Sequence, residues 1–273
     1  FRKMHDNVME IQHHIPHYVD KIQAKVRLLA AEVNTAAQQL VAEGHHVSPW
    51  TLQEVNMAEA PLVFGVLDGT QREVQKPASG PAEPGVLAQR HPFHWEIQNA
   101  FFSGKQGYCA EKYITFNGPD GHIIYCSEPY SGRNHDADVV RRIGLHQKLV
   151  AAQAQLPPPL KCIYGDSAFK REECIQKRFA FPPTSNQSML NLCFNKVRTS
   201  VEHIYGIVLS NFRLNMVWWK KSVRSYQHQI IWPVSCFLCN ILNCLNHNQV
   251  SEYFNMSPMT LEEYLPAPND NDN

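Results

Sequence analysis

The sequence predicts an α/β fold in which a mixed β-sheet is flanked by helices and preceded by a helical segment. The first indication is the apolar run LVFGVLD at 62–68, which is typical of a strand covered on both faces. The second is a pair of strand-like segments, 111–116 and 122–126, joined by the turn NGPDG. The third is a helical stretch that leads to another strand at 160–166. A hairpin followed by a helical crossover to a further strand favours a mixed sheet.

The composition limits the classes to which the chain can belong. Its 273 residues are 44% hydrophobic and can bury one main core. Lys and Arg number 25, as do Asp and Glu, which excludes the bulk positive charge of a nonspecific nucleic-acid binder. Eight cysteines are too few for a disulfide scaffold and no apolar signal region opens the chain, so we expect the nucleus or the cytoplasm. Because the chain begins with Phe1, we expect a longer parent protein.

Residues 1–60 are predicted to form a helical N-terminal segment. Apolar residues three or four apart from 8 to 43 indicate one or two amphipathic helices that end near Gly44. The stretch SPWTLQEV predicts another helix, with Ser48 as N-cap and Pro49 in the first turn. No turn signature typical of a helix-turn-helix DNA-binding motif separates two short helices here.

Residues 61–250 carry the predicted sheet and its helices. After the first strand we predict a Pro- and Gly-rich loop at 76–85, the hairpin, a helix at 138–152, the strand at 160–166, a helix at 190–213 and a buried helix at 230–245. The last of these is too short to span a bilayer. Its cysteines, Cys236, Cys239 and Cys244, follow the apolar pattern and are predicted core thiols, not zinc ligands. We expect residues 251–273 to form a disordered tail.

Three acidic residues are candidates for a metal site. Asp68 and Asp166 end predicted strands, and a mixed sheet can place such strand ends side by side. Glu202 follows Val201 and lies about 100° around the helix from the apolar stripe, where it can reach the strand ends. Three carboxylates together repel one another unless a cation lies between them. Oxygen ligands favour Mg²⁺ or Mn²⁺, and two such ions about 3.5–4 Å apart can drive phosphodiester hydrolysis.

Each acid taken alone also has an ordinary explanation. An Asp at a strand end commonly forms a turn, and a Glu on a helix usually faces solvent.

Four motifs together resemble those of Harbinger-type DDE transposases and their domesticated nuclease relatives. They are LDGT at 67–70, GPDGHIIYCSEPYSGRNHD at 118–136, YGDSAF at 164–169 and VRTSVEHIYG at 197–206. The resemblance runs from about 61 to 215 and implies an RNase H-like DDE catalytic domain, which we assign to 61–250. It further implies that Asp68, Asp166 and Glu202 are the metal-binding catalytic acids of a DNA endonuclease, with strand transfer as a further expected reaction.

Other residues are candidates for accessory roles. Asp136 is either the N-cap of the next helix or an additional acid near the metals. An HD-type phosphohydrolase is a rival explanation of His135-Asp136, but it needs further His and Asp ligands on several helices. Arg198 matches the Arg that precedes the family's Glu, and it either orients Glu202 or forms a surface ion pair.

Substrate contact is predicted at three lysines, Lys105, Lys220 and Lys221, with Trp218 and Trp219 able to stack on bases. The alternative is an aromatic pair at the edge of a core beside solvated lysines. The resemblance implies DNA as substrate, a separate DNA-binding partner protein, a homo-oligomer and the nucleus. A noncatalytic protein that binds DNA or a partner through the same fold is the alternative function.

Overall fold

A computed structural model of the chain describes residues 12–76, 92–153, 163–169, 174–217 and 229–265. The strands are β1 (Val66–Glu73), β2 (Phe102–Ser103), β3 (Tyr108–Asn117), β4 (Ile123–Cys126), β5 (Tyr130–Ser131), β6 (Ile163–Gly165) and β7 (Ile175–Gln176). The helices are α1 (Ile15–Ala42), α2 (Pro92–Phe101), α3 (Asp136–Arg142), α4 (Leu145–Gln153), α5 (Ser185–Asn211), α6 (Ile231–Leu245), α7 (Gln249–Tyr253) and α8 (Leu261–Tyr264). The predicted loop at 76–85, except for its first residue, and the start of the predicted strand at 160–166 lie outside the described residues.

A mixed sheet forms the centre of the molecule. Its strand order is β2-β3-β1-β6-β7, and β4 and β5 also pair with β3. β1 pairs antiparallel with β3 over its whole length, while its pairing with β6 is parallel. Helices flank this sheet, so the predicted mixed α/β fold with an N-terminal helix is confirmed, and it is consistent with an RNase H-like fold.

The first strand begins and ends later than predicted. We expected it at 62–68 with Asp68 as its last residue, but β1 runs from Val66 to Glu73. The reason is a non-local one, since every residue of β1 has a partner on β3, from Asn117 to Ala110. Asp68 is therefore the third residue of a long strand.

The predicted hairpin is confirmed. β3 and β4 pair antiparallel across the turn that contains Gly121. Gly121 has a φ of +87° and its Cβ, if present, would lie 2.5 Å from the Asn248 Oδ1, so both the backbone and the space favour glycine.

Two of the predicted helices take another form. SPWTLQEV yields only a 3-10 turn at Pro49–Leu52, and the Ser48 side chain makes no capping hydrogen bond. Instead the Thr51 hydroxyl donates to the Ser48 carbonyl at 2.6 Å, a local bond that closes the turn. The predicted helix at 138–152 is divided into α3 and α4 at Gly144, whose φ of +63° ends the first helix.

Helix α5 begins five residues before its predicted start at 190. Thr184 accepts a hydrogen bond from the Gln187 amide at 3.2 Å, and the Gln187 side chain accepts one from the Thr184 amide at 3.1 Å. This capping box fixes the first turn. The predicted apolar stripe is buried at Phe194, Val197, Val201, Ile204 and Val208, while its last member, Phe212, is partly buried and follows the end of the helix.

The C-terminal region is ordered further than predicted. α6 is the predicted buried helix, and its Cys236 and Cys239 lie in the core. Residues 251–265, predicted as part of a disordered tail, instead contain most of α7 and all of α8, and their Phe254 and Met256 are buried. Residues 266–273 lie outside the described ranges. Within those ranges, no helix is both long enough and apolar enough to span a membrane.

The capping box predicts the effect of Thr184→Ala. Loss of the side-chain acceptor leaves one amide of α5 unsatisfied, which should lower the free energy of unfolding by about 1 kcal/mol. Urea unfolding of wild type and variant measures this change in the free energy of unfolding. Thr199→Ala is the control, because the Thr199 hydroxyl only bonds back to Asn195 within the same helix and its loss should change stability little. Equal destabilisation by both variants would contradict the capping role of Thr184.

Candidate active site

Two of the predicted acids lie side by side on neighbouring strands. Leu67 of β1 is in register with Gly165 of β6, and the two strands run parallel. Asp68 and Asp166 each follow the last paired residue, and parallel strands are about 4.8 Å apart. The register thus brings both carboxylates to the same edge, although only Asp166 follows the end of its strand.

The folded protein disfavours the ionised form of the Asp68 carboxyl. Burial raises the pKa of its carboxyl to about 6, and the nearby Asp136 and Asp166 act in the same direction. The Arg198 guanidinium and a backbone hydrogen bond from Gly69 oppose this shift without cancelling it. An added cation would therefore stabilise the ionised form of Asp68.

Asp166 is held in its ionised form. Burial favours a higher pKa, but hydrogen bonds from Ser167 and Ala168 and the positive charge of Arg198 and Lys105 outweigh it and leave the pKa below its usual value. The Ser167 hydroxyl and the Ala168 amide donate to the same carboxylate oxygen at 2.8 and 2.9 Å. The other oxygen points to no such internal donor in the described ranges and can accept an external ligand.

Of the two roles predicted for Asp136, the N-cap is not the one observed. Asp136 is the first residue of α3, and the capping position belongs to His135. Its carboxylate instead forms an ion pair of 2.6 Å with Lys112 of β3. A Cβ on Gly69 would lie 2.8 Å from the Asp136 carboxylate, so the glycine after Asp68 lets Asp136 approach β1. The alternative, an additional acid beside Asp68, agrees with this placement.

Glu202 and Arg198 form an ion pair one turn apart on α5, with 3.6 Å between the guanidinium nitrogen and the carboxylate oxygen. The Glu202 side chain is 59% exposed. Arg198 also lowers the pKa of Asp68 and Asp166, so its charge acts on all three predicted acids. Both alternatives for Arg198, orienting Glu202 and forming a surface ion pair, agree with this contact.

A positively charged cleft adjoins Asp166. It has a volume of about 430 Å³. Its charged lining residues are Asp166, Arg178, Lys196 and Arg198. Three cations against one acid make this cleft locally basic, although the whole chain has no net charge. A groove of this charge suits a phosphate backbone.

A comparison with family descriptions matches residues 67–240 to the DDE superfamily endonuclease family. The chain belongs to this family. Neither a search of curated proteins nor a search of solved structures finds a match. The matched range contains both aspartates, Glu202 and the basic cleft, so the DDE endonuclease region includes the whole candidate site.

The acids of this member of the DDE superfamily fit a divalent ion in part. Carboxylate oxygens are the ligands that Mg²⁺ prefers, and Mg²⁺ is often held by one or two carboxylates together with water and substrate phosphate. Asp68 and Asp166 supply such a pair. In the part of the chain that the structure describes, no three His, Cys, Asp or Glu side chains lie close enough to hold a metal ion together. In this conformation Glu202 does not form such a group with the two aspartates.

The predicted DNA-contact residues have different outcomes. Lys105 is exposed in the segment between β2 and β3, and its charge reaches Asp166. Lys220 and Lys221 lie outside the described residues, as do Trp218 and Trp219.

Sequence reasoning missed four residues of the site. They are Gly69, Lys112, Arg178 and Lys196. Gly69 had a usable signal, because a glycine directly after a candidate acid suggests a close approach to the backbone. The three cations had none, since each meets the acids only through the tertiary fold.

The raised pKa of Asp68 predicts a pH-dependent effect of Asp68→Asn. Since the folded-state pKa, about 6, exceeds the unfolded value, wild-type stability without metal should fall as the pH rises from about 4 to 6. The asparagine variant lacks this loss. Relative to the wild type it should therefore gain roughly 1–2 kcal/mol between pH 4 and 7, a figure reduced for partial solvent screening.

Urea unfolding in EDTA at both pH values measures the gain. Asp138→Asn is the control, because Asp138 is a partly exposed acid of α3 that pairs with the exposed Arg141. A stability difference between Asp68→Asn and wild type that is the same at pH 4 and pH 7 would contradict the raised pKa.

Proposed function

We propose that this chain is a divalent-metal-dependent DNA endonuclease of Harbinger-type transposase descent, which hydrolyses phosphodiester bonds. The observation that carries the proposal is the pair Asp68 and Asp166, aligned on adjacent parallel strands beside a basic cleft. Membership of the DDE endonuclease family supports it. Transfer of the cut strand to a new site is a further part of the proposal.

The protein's own residues have distinct roles in this proposal. Asp68 and Asp166 would hold Mg²⁺ or Mn²⁺, with two ions expected at the site. Ions held there would supply an activated oxygen nucleophile and stabilise the leaving oxygen. Asp136, fixed by Lys112, adds negative charge beside Asp68. Glu202 becomes the third acid once its pairing with Arg198 is released.

The cleft is proposed to hold the DNA backbone. Arg178 and Lys196 are exposed and line the same cleft as Asp166, so a phosphate bound to them lies beside the proposed metal site. Lys105 is proposed to contact the same strand, because its charge acts on Asp166 from another segment. Lys220 and Lys221 remain proposed contacts on sequence grounds alone.

Partners and location are also proposed. A separate DNA-binding protein is proposed to select the target, and a homo-oligomer is proposed to handle two DNA ends. The proposed location is the nucleus, where the substrate is.

Metal binding and plasmid nicking test the catalytic proposal. Wild type titrated with Mg²⁺ or Mn²⁺ in a calorimeter should bind metal, and it should nick supercoiled plasmid at low salt. Asp68→Asn and Asp166→Asn should each lose the nicking activity by at least about 100-fold and weaken metal binding. Asp138→Asn should retain both properties, since Asp138 pairs with Arg141 and does not contribute to the pKa shifts of the two aspartates.

Glu202→Gln separates catalysis from a purely structural pairing. As a third metal ligand, Glu202 should lose nicking on substitution while the fold is kept. The alternative, a noncatalytic DNA- or partner-binding protein, is favoured by one observation, the exposed Glu202 paired with Arg198. A folded wild-type protein that binds DNA, but binds no metal and does not nick DNA, would contradict the endonuclease proposal and favour this alternative.

DNA binding tests the cleft. Arg178→Ala and Lys196→Ala should each weaken binding to a short duplex several-fold and reduce the slope of log affinity against log salt by about one. Arg141→Ala is the matched control, because Arg141 is an exposed arginine outside the cleft. Equal losses in all three variants would assign the effect to overall charge and overturn the cleft as the binding site.

A further inference from the structure

A second chemical cluster uses residues that the proposed nuclease reaction leaves free. Cys244 lies in the last turn of α6, and its Sγ is 3.3 Å from the Nε2 of His122. The Nδ1 of His122 is in turn 3.0 Å from an oxygen of Asp120. A sulfur, an imidazole and a carboxylate in this order form the arrangement that activates a nucleophilic thiol.

The surrounding structure fixes the imidazole. Asp120 is fully buried, and its two oxygens are both bonded. One oxygen accepts from the Tyr18 hydroxyl at 2.7 Å, and the other from the His122 amide at 3.1 Å. His122 itself is 1% exposed. The ring is therefore held between Asp120 and the sulfur, with little freedom to turn away.

The charge on the imidazole is also fixed. Burial would lower the pKa of His122, but the Asp120 carboxylate and the hydrogen bonds to Asp120 and Cys244 raise it to about 10. At neutral pH a protonated imidazole thus donates toward the sulfur at 3.3 Å, a contact typical of a nucleophilic thiol.

Access distinguishes Cys244 from the other described cysteines. The remaining six are buried, whereas Cys244 is partly exposed. It is followed by Leu245, which is 61% exposed, at the end of the helix. Among the described cysteines, Cys244 is therefore the one most open to a small reagent.

We propose that Cys244 is a reactive thiol that forms mixed disulfides with low-molecular-weight disulfides. The Cys244 thiolate attacks one sulfur of R–S–S–R, and a new Cys244–S–S–R bond forms as the original S–S bond breaks. The other half leaves as R–S⁻ and takes a proton from water. The disulfide is the oxidant, and one equivalent of R–SH is released for each adduct.

The test follows the rate of adduct formation at each cysteine. Wild type is incubated with bis(2-hydroxyethyl) disulfide at pH 7, quenched with acid and mapped by peptide mass spectrometry. The same reaction is run on the chain unfolded in urea. Cys244 should react about threefold faster in the folded protein, because the Nε2 of His122 lies 3.3 Å from its sulfur. Cys236 and Cys239 should react more slowly when folded, since both are buried.

Two variants test whether the fast reaction occurs at Cys244 and depends on His122. Cys244→Ser should remove the fast adduct and leave the slow rates of Cys236 and Cys239 unchanged. His122→Gln should slow Cys244 about threefold where the variant folds, because the imidazolium is gone. Cys244 reacting no faster in folded wild type than in urea would overturn the proposal, whether or not the His122 variant folds.

Discussion

The parallel pairing of β1 with β6 is the constraint on which the candidate site depends. This pairing is short, with Val66 opposite Tyr164 and Leu67 opposite Gly165. It places Asp68 and Asp166 abreast, and neither residue could be moved by one position without turning its side chain to the other face of the sheet. The antiparallel pairing with β3 then puts Thr115 directly opposite Asp68. One strand thus sets the acids and their surroundings together.

The helix layer supplies what the sheet lacks. Burial raises the pKa of Asp68, and the nearby Asp136 and Asp166 act in the same direction, while Lys112 of the sheet pairs with Asp136. α5 adds the Arg198 guanidinium, which acts on both Asp68 and Asp166. The same helix is anchored to the sheet next to the acids, since the Tyr205 hydroxyl lies 2.6 Å from that of Thr115. The compensation remains incomplete at Asp68, which is the property expected of a cation-binding acid.

Sequence patterns predicted helices and strands well where interactions between residues near in sequence determine them. The hairpin follows from alternation and a glycine turn, and the buried face of α5 follows from the spacing of its apolar residues. Predictions failed where distant partners decide. β1 extends to Glu73 because β3 continues beside it. Asp136 pairs with Lys112 and does not cap its helix. Residues 251–265 contain helical residues, and their Phe254 and Met256 are buried in the core. None of these partners is near in sequence.

Arg198 connects the acids to the cleft, and this limits how its role can be measured. It pairs with Glu202, lowers the pKa of Asp68 and Asp166, and lines the cleft proposed for DNA. A single positive charge shared among these groups cannot satisfy each of them fully, so a metal ion at the acids and a phosphate in the cleft both change what Arg198 binds. Substitution of Arg198 would disturb all these interactions at once. Arg178 and Lys196 report on the cleft alone, because neither forms an ion pair with the three acids in the described structure.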